Sequence, residues 1–148
     1  MKHVYDDGGR RAAGFKGDTG DCVVRSIAIA TGLPYSAVYG HINALAKLER
    51  TGKKKRGVSS ARTGVYKNTY RRYLDEIGYQ FTPTMSIGSG CKVHMRANEL
   101  PGGRLIVALS KHLTAVIDGV VHDTHNPDRG GSRCVYGYWL VSEPLTEG

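Results

Sequence analysis

Asp118-Gly119, set between "AVI" and "VVH", constrains this chain more than any other pair of residues. A two-residue type I′ turn needs positive φ at both central positions, and Asp-Gly supplies it with a twist that suits two antiparallel strands. The turn predicts a hairpin over residues 113–117 and 120–124. Its register pairs Ile117 with Val120, Val116 with Val121, Thr114 with Asp123 and His112 with His125. His112 and Asp123 then become diagonal neighbours on one face, roughly 7–8 Å apart at the backbone and within side-chain reach. Leu113, Ala115, Ile117, Val120, His122 and Thr124 fall on the other face.

Other segments read from their periodicity. "CVVRSIAIAT", Cys22 to Thr31, is almost wholly small and apolar, which fits a helix buried on most sides and stopped by Gly32 and Pro34. A second helix is expected over residues 36–48, with Val38, Ile42, Leu45 and Leu48 on one face. A third is expected over about 63–77, with Tyr66, Tyr70, Leu74 and Ile77 aligned. "YQFTPTM", "RLIVALS", "KHLTAVI", "VVHDTH" and "CVYGYWLV" are short β-branched or aromatic runs separated by turn formers. Helices first and strands second predict an α+β fold, with an antiparallel sheet packed on the helices. The length of 148 residues suits one domain, with residues 1–16 as a loosely docked leader and 49–62 as a basic loop.

The net charge of +8 is local: residues 47–73 carry +9 and the rest of the chain −1. The loop bearing Lys53, Lys54, Lys55 and Arg56 is therefore a candidate contact for an anionic partner, or a solvated surface. No apolar run approaches the roughly 18 residues of a membrane span, and the N-terminal residues lack a secretory apolar stretch. A cytoplasmic protein is the expectation. Cys22, Cys91 and Cys134 make an odd number, so no structural disulfide framework is expected, and Cys91 and Cys134 read as partly buried thiols.

Cys22 opens the predicted buried helix, where the dipole and free backbone N–H groups favour a thiolate and can receive an oxyanion. With His112 and Asp123 predicted side by side, three groups converge on acyl-transfer chemistry. Cysteine at a helix start, a later histidine on a strand and an aspartate on the adjoining strand resemble the order in papain-like cysteine peptidases. Asp21-Cys22 followed by small apolar residues is most similar to the nucleophile segment of bacteriocin-leader peptidases. "GDCVVRSIAIATG" and "HDTHNPDRGGSRCVYGYW" also look like small uncharacterised phage and bacterial proteins.

The resemblance implies a papain-like domain with the nucleophile at the start of the central helix. It would be a hydrolase of peptide, isopeptide or amide bonds, with a protein or peptide substrate and no cofactor. Cys22 would be the nucleophile, His112 the general base and Asp123 the residue orienting the imidazole. Lys16 stands where that group has an oxyanion-hole Gln, and Thr19 is a second candidate donor. His125 takes the place of an aromatic that shields the pair in papain.

Other constellations compete with this one. Cys91-x-x-His94 and His122-x-x-His125 have zinc-like spacing, but strand parity turns His122 and His125 to opposite faces, and no metal site is expected. Tyr66, Tyr70, Tyr73 and Tyr79 beside the basic segment suggest a nucleic-acid surface, though the first three recur at the spacing of a helix core. The main alternative to hydrolysis is a non-catalytic module that binds a protein or nucleic-acid partner through a groove or the basic loop.

Overall fold

The computed structural model describes residues 1–15, 20–49, 58–86 and 88–141. Strand β1 (Lys2–Tyr5) precedes helices α1 (Cys22–Thr31), α2 (Tyr35–Leu48) and α3 (Lys67–Glu76). Strands β2 (Phe81–Pro83), β3 (Arg104–Leu109), β4 (His112–Ile117), β5 (Val120–Asp123) and β6 (Gly137–Val141) follow. They form a six-stranded sheet in the order β1-β5-β4-β3-β6-β2.

Asp118 and Gly119 adopt φ of 48° and 80°, and Ala115, Val116 and Ile117 pair with His122, Val121 and Val120. Asp118 is held on its other side, where its carboxylate accepts the Gly103 N–H at 2.7 Å. α1 buries nearly its whole surface, as its composition requires, and Gly32 ends it with φ of 79° and an N–H donated to the Ala28 carbonyl. Val24, Ile27, Val38, Ile42 and Leu74 pack with Ile106 and Ala115 in the core under the helices. Leu105, Val107, Val116 and Val121 form a second cluster with Met95 and Val135. Alternation along β3 sends Ile106 and Ala108 to one cluster, and Leu105, Val107 and Leu109 to the other.

The expected layout of N-terminal helices on a C-terminal antiparallel sheet, and with it the papain-like architecture, is corrected. The sheet is mixed and spans the chain, because β1 from the supposed leader pairs in parallel with β5, Lys2 opposite Val120 and Tyr5 opposite Asp123. All four β1 residues are exposed, so no hydrophobic alternation announced the strand. It is placed instead by the free edge of β5 and by the Met1 ammonium, which donates to Asp128 at 2.5 Å. α3 begins later than expected, since Ser60 and Gly64 form an antiparallel bridge that holds the preceding residues in a turn.

The reading of Cys91 and Cys134 as separate thiols is also corrected: they form a disulfide. It joins segments already linked by backbone bonds from Met95 N–H to the Arg133 carbonyl and from Val135 N–H to the Val93 carbonyl. Among the described residues, no helix is long and apolar enough to cross a membrane.

Candidate functional site

The only charged residue within α1 is Arg25, and it is 5% exposed. A buried guanidinium must be paired. Its Nη1 donates to Asp21, which is fully buried just before the helix, and its Nη2 lies 3.3 Å from Asp123 Oδ1 on β5. Asp21 also accepts from Arg10 at 3.1 Å and from the Tyr35 hydroxyl at 2.6 Å. It is therefore an ion-pair centre rather than a helix cap. Burial, reinforced by the Asp21 carboxylate, pushes the Tyr35 phenol well above its ordinary range.

Asp123 is 3% exposed, and its two oxygens are fully engaged. His112 Nε2–H donates to Oδ2 at 2.8 Å and Thr114 Oγ1–H at 2.7 Å, while Thr124 N–H donates to Oδ1 at 2.6 Å. Burial alone would raise the Asp123 carboxyl, but His112, Thr114 and Arg25 together hold it well below the usual carboxylate range. Burial would likewise discharge His112, yet the bond to Asp123 and the nearby Cys22 thiol raise the imidazole to about 9. Cys22 is free and half-buried; burial raises its thiol, and His112, the Leu113 backbone and Arg25 outweigh that to lower it.

His125 stacks loosely on His112, ring centres 5.1 Å apart, with Nδ1 3.9 Å from Asp123 Oδ1. The donor atoms of His112, Asp123 and His125 lie within 4.8 Å of one another, and this compact group contains no thiol. It could hold a divalent ion only by displacing established partners. Asp123 already accepts from four residues, its bond to His112 favours the protonated imidazole, and Arg25 opposes a further cation.

Two adjoining cavities meet at this site, sharing Gly20, Cys22, Lys111 and His112. The first, about 400 Å³, runs past Val23, Val65, Tyr66, Lys67, Tyr70 and Leu113. The second, about 450 Å³, is bordered by Tyr5, Arg10, Arg25, Thr124 and His125. Among the described residues, neither has a carboxylate in its lining.

These observations correct the expected cysteine peptidase and its catalytic triad. The compact group around Asp123 is His-Asp-His, and two of the three cysteines are joined to each other. The bond from His112 to the Asp123 carboxylate raises the imidazole and favours its protonated form. Asp123 is not a dedicated orienter, being shared between His112 and the Arg25 guanidinium. Lys16 and Thr19, the expected oxyanion donors, lie outside the described residues, as do Lys53, Lys54, Lys55 and Arg56.

The residues not singled out from sequence were Arg10, Arg25 and Lys111, and Asp21 was read only as part of the motif before Cys22. One signal was available: an arginine inside "CVVRSIAIAT" must find buried carboxylates. No family model matches the chain, and no curated protein or solved structure is significantly similar to it.

Proposed function

We propose that the chain is a binding module whose double cleft at the start of α1 takes an acidic segment of a protein partner. The observation that carries this reading is the one-sided charge of the cleft. Among the described residues, Arg10, Arg25, Lys67 and Lys111 line it with His112, and no carboxylate does. The two nearby acids are buried and already paired, so they do not neutralise an incoming anion. A carboxylate on the partner would gain charge-assisted hydrogen bonds in the polar limb, and Val23, Val65 and Leu113 would receive an apolar neighbour in the other. A nucleic acid is less well served, because Tyr70 is packed edge-on against Trp139 at 5.9 Å rather than standing clear as a stacking platform.

The test is a fluorescence-anisotropy titration of the full chain with peptides in which Asp or Glu is flanked by Leu or Val. Their Asn and Gln counterparts and a single-stranded oligonucleotide serve as comparisons. Acidic peptides should bind, weaken with salt, and lose about tenfold in affinity on Arg10→Ala or Lys111→Ala. Equal binding of acidic and amide peptides, or tighter binding of the oligonucleotide, overturns the reading.

A further inference from the structure

Cys22 stands where the two limbs of the cleft meet, lining both of them. It is the one free thiol of the chain, since Cys91 and Cys134 are joined. It begins α1, so its sulfur shares the positive end of the helix. Four neighbours make this more than an isolated cysteine. The His112 imidazole lies beside the thiol and is anchored from behind by Asp123 at 2.8 Å. Arg10 and Lys111 border the same space. Arg25, 5% exposed, lines the polar limb with its Nε lacking any hydrogen-bond partner.

A soft nucleophile set among cations selects a ligand that joins an electrophilic sulfur to carboxylates. We infer that Cys22 is a thiolation site that captures small anionic disulfides, the chemical class of glutathione disulfide. The inference rests on the cationic character of the cleft argued above. The Cys22 thiolate attacks one sulfur of the incoming disulfide, and a new S–S bond forms as the old one breaks. The other half leaves as a thiolate, taking a proton from the His112 imidazolium or from water. Cys22 is oxidised to the mixed disulfide, the departing half is reduced to a thiol, and no further oxidant is required. The ligand's carboxylates face Arg10 and Lys111, while Gly20 leaves the approach to the sulfur free of a side chain.

The full chain is incubated at pH 7 with glutathione disulfide or with cystamine, a cationic disulfide, and followed by intact mass and peptide mapping. Glutathione disulfide should add one glutathione per chain at Cys22, reversibly with dithiothreitol, and about tenfold faster than cystamine reacts. High salt should narrow that preference by screening it, and Arg10→Ala or Lys111→Ala should narrow it at low salt. An adduct confined to Cys91 or Cys134, no adduct, or cystamine reacting as fast at low salt overturns the inference. Cys22→Ser separates the two proposals, since it removes the adduct but leaves the cleft charge. Acidic-peptide binding retained by this variant, with no glutathione adduct on the parent, defeats the thiolation site alone. A selective adduct without peptide binding defeats the binding reading alone.

Discussion

Arg25 and Asp123 are 98 positions apart in sequence and 3.3 Å apart in the fold. One sits on the first helix and the other ends the fifth strand, so their contact ties the helical layer to the sheet beside the cleft. With Asp21 on its other nitrogen, the guanidinium bridges two buried carboxylates.

Removing the cation from this arrangement should cost far more than the arrangement contributes. Arg25→Met leaves Asp21 and Asp123 buried without their shared partner, and the expected loss is about 3–5 kcal/mol. Arg25→Met with Asp123→Leu removes one of the stranded charges as well and should recover part of that loss. Urea denaturation of the parent, the single variants and the double variant measures the coupling. Simple additivity of the two single losses would show that the contact is incidental.

The alkaline limb of stability should reveal the proton shared around His112. Below about pH 6.5 the imidazole is protonated in folded and unfolded chains alike, and its contribution is complete; between there and about 9 only the folded chain holds that proton. Stability from His112 therefore falls as pH rises through that window. Cys22 has the opposite sign, because its lowered thiol ionises first in the folded chain and gains stability as pH rises. The two slopes offset each other in the parent. In Cys22→Ser the imidazole is raised by Asp123 without the thiol, and urea midpoints should decline more steeply above pH 6.5. Asp123, lowered from 3.8, contributes above that value and loses its contribution as pH falls below it. Parallel alkaline slopes for parent and variant would contradict the assignment.

Gly20 should tolerate no side chain. A β-carbon there would collide with the Thr63 carbonyl, 2.9 Å from its carbon atom, and backbone yields less readily than a side chain. Gly20→Ala should cost about 1–3 kcal/mol and, by shifting Thr63 and Gly64, weaken acidic-peptide binding. Unchanged thermal stability and affinity would show that the wall gives way freely.

Reducing the Cys91–Cys134 disulfide should lower stability without dismantling the fold. The bridge spans 43 positions, for which loop-closure entropy corresponds to about 4 kcal/mol. The Met95–Arg133 and Val135–Val93 backbone bonds hold the same segments without it. Urea midpoints should drop in dithiothreitol, with far-ultraviolet circular dichroism preserved at zero denaturant. A reduced chain with no circular dichroism signal of sheet or helix would refute this.

Local chemistry made much of the fold readable. Asp118-Gly119 specified a turn and a register, and the apolar run from Cys22 to Gly32 specified a helix with both ends. The hairpin register also explains why His112 and Asp123 meet. What stayed hidden was non-local. β1 has four exposed residues and no alternation, so only its partner strand defines it. The disulfide unites two cysteines whose spacing carries no signal of proximity. In the site, Arg25 changed the meaning of Asp123 from an orienter of one imidazole to a shared counter-ion, and the register of one hairpin cannot show a helix reaching across.

The parallel pairing of β1 also sets an order of assembly. His3 meets the Asp123 carbonyl at 2.8 Å across 120 positions of chain, one of the most distant contacts in the fold. Closure over that span is entropically costly, so β1 is expected to join a hairpin, sheet and helices already in place. Tyr5 and Arg10, carried by that same N-terminal segment, therefore complete the polar limb of the cleft last. Because β1 buries so little, it is also the element whose amides should exchange first, opening one wall of the cleft while the core stays closed.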